Sequence, residues 1–117
     1  MPVGAFHMHI FKFESWRRLV LHQQLRDEWL APTGMMADAK GPGYDQLLAF
    51  DITMASVIQE WWEESGRQIA ASDGRPVRWY FAELGAALEA RLLFDSDNDG
   101  GRQRIEVVFL PWSRGQQ

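Results

Sequence analysis

The 117-residue sequence predicts an α+β domain. Three observations predict it. An aromatic, alternating stretch opens the chain, two stretches with apolar residues at helical spacing follow, and the C-terminal third alternates apolar and polar residues around turn-forming clusters. The expected architecture is an N-terminal strand, then two helices at about 15–30 and 44–65, then a C-terminal antiparallel β-meander. The helices are expected to pack on one face of the sheet. The length fits a single domain, 1–117.

The first strand is read from residues 5–13, AFHMHIFKF, where Phe6, Met8 and Ile10 share one side. Ser15 is a fitting N-cap for the first helix, whose Trp16, Leu19 and Val20 lie on one face while Leu21, Leu25 and Trp29 lie nearly opposite. A helix apolar on two faces is either sandwiched or packs on a partner as well as its own core, and the leftover apolar surface predicts self-association, a possible homodimer. Pro32 stops it. Residues 31–43, with two prolines and three glycines, read as a long loop that carries Met35 and Met36.

The second helix is the strongest pattern. Tyr44, Leu47, Leu48, Met54, Ile58, Trp61 and Trp62 recur at helical spacing, Gly66 reads as the glycine just past its end, and Asp51 falls on the apolar stripe, where it needs a cationic or backbone partner. Residues 72–76 read as a turn and VRWYFAEL (77–84) as β-prone. Residues 88–95 and 102–110 then read as two strands, and the Asp-, Asn- and Gly-rich segment between them as a hairpin around 96–102. Residues 113–117 are expected to fray.

Composition narrows the function. Hydrophobic residues make up 46% and charged residues 24%, so a packed core is expected rather than disorder. The absence of cysteine excludes disulfides, thiolate metal sites and cysteine nucleophiles, and suits the cytoplasm. The N-terminus does not read as a signal peptide, and no apolar run is long enough to span a membrane. A net charge of −4 counts against sequence-independent nucleic-acid binding and favours a basic protein partner. Six tryptophans are a surplus that either fills the core or anchors an interface.

Two patterns carry candidate chemistry. DSDNDGGRQRIE (95–106) matches the calcium loop D-x-[DN]-x-[DN]-G-x5-E, with Asp95, Asp97, Asp99 and Glu106 as ligands. It resembles EF-hand loops over these twelve residues only. Arg102 stands where those loops carry an aliphatic residue, and VVFLPW is a poor exiting helix, so the hairpin reading is preferred. His7 and His9 on one side of a strand have metal-site spacing but lack a clear third ligand beyond His22. No P-loop, dinucleotide fingerprint, HExxH or G-x-S-x-G is present, so no cofactor and no catalysis are expected.

The leading expectation is a non-catalytic protein-binding module of the immunity, antitoxin-inhibitor or dedicated-chaperone type. Its partner face would use Trp29, Trp61, Trp62, Met35 and Met36 as anchors and Glu60, Glu63 and Glu64 as steering charges. The alternatives are calcium binding through 95–106 and a small α+β ligand-binding protein or enzyme. For the last, HMHIFKF followed by a helix resembles the opening strand–helix unit of dimeric α+β barrel proteins, and a cleft near His7, His9 and Asp51 would support it.

Overall fold

The computed structural model describes residues 14–30 and 36–111, with side chains at 15–23 and 36–111. The predicted first strand (5–13) lies outside these residues. Helix α1 spans Glu14–Leu30, strand β1 Met36–Lys40, helix α2 Tyr44–Leu48, helix α3 Asp51–Ser72, strand β2 Val77–Phe81, helix α4 Leu84–Asp95 and strand β3 Glu106–Phe109, with a 3-10 turn at Arg102–Arg104 ahead of β3.

The mixed α and β content and the first helix agree with the expectation, but the sheet does not. The three strands lie in the order β1-β2-β3, and both pairings are parallel. Met36 stands opposite Val77 and Lys40 opposite Phe81, while Arg78 stands opposite Glu106 and Phe81 opposite Phe109. The antiparallel meander and its hairpin are therefore corrected. Parallel neighbours need a long crossover. Here β1 reaches β2 through α2 and α3, and β2 reaches β3 through α4.

The hairpin expectation failed at residues 88–95. Ala90, Leu92 and Phe94 alternate, yet Ala90 and Phe94 are also four apart, and with Ala86 and Ala87 they form the buried stripe of α4. Leu92 is exposed instead of inward. Alanine, leucine, glutamate and arginine are strong helix formers, so propensity and burial agree on the helix. The loop expected at 31–43 contains β1. MADAK has little β propensity, but its last three residues are buried, and tertiary context overrides intrinsic preference. Gly66 does not end a helix either. It lies inside α3, which runs on to Ser72. Asp51 is the exposed first residue of α3 and not part of an apolar stripe.

Helices cover both faces of the sheet, which corrects the one-face expectation. Two crossovers of one hand that step the same way lay their helices on the same side. Accordingly Val57 and Trp61 of α3 and Ala86, Ala90 and Phe94 of α4 pack with Val77, Trp79 and Phe81 of β2. Trp16 and Val20 of α1 cover the other face, against Ala39, Tyr80 and Ala82. The Trp16 indole N–H donates to the Leu110 carbonyl at 2.6 Å and ties α1 to the chain just past β3. A strand covered on both faces is apolar on both, and Trp79, Tyr80 and Phe81 are all fully buried.

Candidate functional site

Three charged side chains are buried together beside β2. Asp38 and Lys40 are two apart on β1, so both point to the face covered by α3. Glu64 and Gln68 are four apart on α3 and face back. Asp38 and Lys40 are each 5% exposed and Glu64 is 6% exposed. Lys40 Nζ donates to Glu64 Oε1 at 3.0 Å and Oε2 at 3.2 Å, and lies 3.4 Å from Asp38 Oδ2. Gln68 Nε2 bridges the same two carboxylates, at 3.0 Å from Asp38 Oδ2 and 3.4 Å from Glu64 Oε1. The Ala39 amide donates to Asp38 Oδ1 at 2.8 Å.

Trp79 is the floor of the cluster. It stands opposite Asp38 in the β1–β2 register. Its Nε1 donates to Gln68 Oε1 at 2.6 Å, and its ring lies 4.7 Å beneath Lys40 Nζ. Two carboxylates and one ammonium leave a net charge of minus one in a shielded environment. Tyr44, on α2, is shifted mainly by its own burial. Burial first, then the charges of Glu60 and Asp38, push its hydroxyl pKa up to about 12.

The turn of α3 that carries Glu64 is clamped from outside by Arg102. The guanidinium donates to the Trp62 carbonyl at 2.7 Å from Nη2 and to Ser65 Oγ at 2.9 Å from Nε, and it stacks 3.7 Å from the Trp62 ring. Asp97 holds Arg102 in place. Its Oδ2 accepts from Arg102 Nη1 and from the Arg102 amide, both at 3.1 Å, and its Oδ1 accepts from the Gly100 amide at 2.9 Å. Burial alone would raise the Asp97 pKa, but the side-chain and backbone donors of Arg102 and the Gly100 amide outweigh it and hold it below the ordinary carboxylate value.

The four carboxylates proposed as a calcium set do not share a centre. Asp95 pairs with Arg91 at 2.9 Å, Asp97 with Arg102, and Glu106 with Arg78 at 2.7 Å, while Asp99 is exposed. Among the described residues no group of three or more His, Asp or Glu is placed to hold a metal ion. His7 and His9 lie outside the described residues, and His22 is exposed on α1.

The described residues expected to form a partner face do not share one exposed surface. Trp61 is fully buried among Tyr44, Trp79 and Phe81. Trp62 is half-buried beneath Arg102. Glu64 is inside, whereas Glu60 and Glu63 are exposed. Met36 is half-buried at the start of β1; Met35 and the side chain of Trp29 lie outside the described residues. No family model, no curated protein and no solved structure matches the chain. No helix among the described residues is long and apolar enough to cross a membrane.

Sequence reasoning passed over Asp38, Lys40 and Gln68. The available signal was D-x-K, two charges on one side of a strand, followed by a Glu-x-x-x-Gln pair on one face of the next long helix. Reading MADAK as loop removed the periodicity that would have joined them.

Proposed function

We propose that the chain is a magnesium-dependent phosphodiesterase acting on nucleic acid, with Asp38 and Glu64 as cation ligands and Lys40 as the residue that meets the phosphate. The observation that carries this reading is the convergence of Asp38, Lys40 and Glu64, bridged by Gln68, in a nearly closed environment. Stability is a poor reason for such a cluster, since a buried ion pair replaced by well-packed apolar residues usually leaves a protein as stable or more so. Charged side chains gathered out of solvent in one place occur at functional sites as well as in structural ion-pair networks.

The residue types select the chemistry. Magnesium takes hard oxygen ligands and is commonly held by one or two carboxylates, with substrate phosphate and water filling the rest of its shell. Two carboxylates therefore suffice where an all-protein calcium cage would need more. Lysine is a compact cation that binds phosphate as a point charge. The charge balance favours a diester. The cluster sums to minus one, a divalent cation would turn it to plus one, and a single phosphodiester anion would neutralise it.

Asp38 and Glu64 would hold the cation, which would supply charge neutralisation and an acidified water. Lys40 gives up its carboxylate contacts and stabilises the negative charge that grows on the phosphate oxygens. Water oxygen bonds to phosphorus, one ester P–O bond breaks, and a water proton ends on the leaving oxygen. The products are a phosphate monoester and a free hydroxyl. The chain's acidity gives no broad electrostatic footprint, and Lys40 is 5% exposed, so the polymer backbone would reach Lys40 and the cation only on opening of the cluster. The test is cleavage of supercoiled plasmid and of single-stranded RNA in magnesium chloride. Cleavage that EDTA abolishes, and that Asp38→Asn and Lys40→Met each lower by a factor of about 100 or more, supports the reading. An inert wild-type protein, or activity unchanged in Asp38→Asn, overturns it.

A second reading keeps the protein-binding module. Leu84, Leu88 and Leu92 are spaced four apart on α4 and are 52%, 57% and 66% exposed, which is a continuous apolar stripe on the outer face of a helix. With the exposed Glu60 and Glu63 it favours a protein partner with apolar anchors and basic flanks, or a second copy of this chain. Leu88→Lys keeps the fold, because Leu88 faces solvent. If the stripe is the interface, that variant loses association in analytical ultracentrifugation. Unchanged association removes the stripe from consideration.

A further inference from the structure

The least expected member of the cluster is the neutral one. Gln68 is the only uncharged side chain that touches both carboxylates among the described residues, and its amide can face either way. With NH2 toward Asp38 and Glu64 it is a shared donor. With the oxygen toward them it is a third source of repulsion. Trp79 decides between these states. Indole Nε1 is a donor and never an acceptor, so its 2.6 Å contact requires the amide oxygen and turns NH2 toward the carboxylates.

We propose that Trp79, acting through Gln68, is the positioning device that sets the spacing of Asp38 and Glu64 for a divalent cation. This rests on the reading of the cluster as a cation site. Trp79 is well suited to the role. It is fully buried, sits opposite Asp38 in the sheet register and packs edge-to-face on Phe94 at 5.0 Å and on Trp61 at 6.2 Å. Its indole N–H is therefore fixed by the core, and the core transmits that fixity to a polar site. The same ring faces Lys40 Nζ, so one side chain references all three charges. Partners one step removed from a metal orient its ligands, and their loss commonly weakens metal binding by about 10- to 100-fold.

A double-mutant cycle tests this, read by manganese(II) binding through electron paramagnetic resonance of the full chain, with thermal midpoints recorded in parallel. Gln68→Leu removes the shared donor. Trp79→Phe removes the indole N–H and keeps an aromatic face under Lys40. Each single variant is expected to weaken manganese affinity about tenfold or more. If Trp79 works through Gln68, the double variant binds no more weakly than Gln68→Leu alone, even though the losses in thermal midpoint accumulate from both changes. A purely structural Trp79 would give additive losses in affinity, and that overturns the proposal. Wild-type affinity in Gln68→Leu overturns it as well and leaves the phosphodiesterase reading standing if plasmid is cut. Manganese binding with the non-additive pattern, but no cleavage of DNA or RNA, keeps the positioning device and removes the phosphodiesterase reading. Absence of manganese binding to the wild type overturns both.

Discussion

Lys40→Met is the most informative single change to stability. Met is close in length and volume but carries no charge. In the native chain Lys40 Nζ supplies Glu64 with donors at 3.0 and 3.2 Å and lies 3.4 Å from Asp38. Without it, Asp38 retains the Ala39 amide and Gln68, whereas Glu64 keeps Gln68 alone among the described residues, at 3.4 Å. A buried carboxylate so poorly matched is the situation in which removing one partner of an ion pair costs about 3–5 kcal/mol. Native domains have only about 5–15 kcal/mol to lose. For a domain of this length the loss corresponds to a fall in Tm of about 10–20 °C. Urea denaturation followed by tryptophan fluorescence measures it directly. The pairing argument makes a second demand: Lys40→Met combined with Glu64→Met should regain most of the loss, since the orphaned charge has gone. A single variant that costs less than about 1 kcal/mol, or a double variant no better than the single, refutes the reasoning.

Three further outcomes follow from the same contacts. Gly66→Ala would place a Cβ 2.5 Å from Arg102 Nη2, so the guanidinium must leave the Trp62 carbonyl. The lost charged hydrogen bonds, about 1.5–3 kcal/mol, exceed the gain of about 1 kcal/mol in helix propensity, so the variant should be less stable, and the same change should become stabilising in an Arg102→Ala background, as thermal melts would show. Asp97, held below the ordinary value of 3.8, takes up protons more readily when unfolded. Its contribution is therefore complete above the unfolded pKa and disappears as pH falls through the folded pKa, and Asp97→Asn should flatten that part of the acid-unfolding curve. Tyr44, pushed from 10.0 to about 12, holds its proton longer when folded, so stability should fall between these two pH values, and Tyr44→Phe should remove that slope in alkaline urea titrations.

Much of the helical part of the fold was legible, and the sheet was not. Trp16, Leu19 and Val20, and Met54, Ile58 and Trp61, recur at mixed three- and four-residue spacings that a strand does not satisfy, and Trp16, Val20 and Trp61 are buried in the structure. Residues 77–81 declare a strand through β-branched and aromatic content, and β2 forms there. Parallel pairing is harder to see because its partners are remote. Apart from the period-two spacing of Asp38 and Lys40, MADAK carries no local mark of a strand, and its strand state comes from lying against VRWYF, about forty residues away. Alternation at 90–94 was misleading because a short window of alanine and phenylalanine fits both periods. The cluster was hidden for the same reason as the sheet. Glu64 was noticed only as one of several acids beside two tryptophans, and its burial depends on Lys40, 24 positions away. The match at 95–106 to a calcium loop was local in kind. In the folded chain those acids answer to Arg91, Arg102 and Arg78, and one of them braces the helix that carries Glu64.

The central claim is that Asp38 and Glu64 are placed to share a divalent cation. A crystal of the wild-type chain grown in manganese chloride, with anomalous difference density, tests it most directly. The account predicts a peak in contact with both carboxylates, at about 2.1–2.2 Å from their oxygens as expected for a small hard cation, with Lys40 Nζ displaced from between them. A map in which Lys40 still bridges Asp38 and Glu64 while manganese binds elsewhere, or not at all, would contradict it.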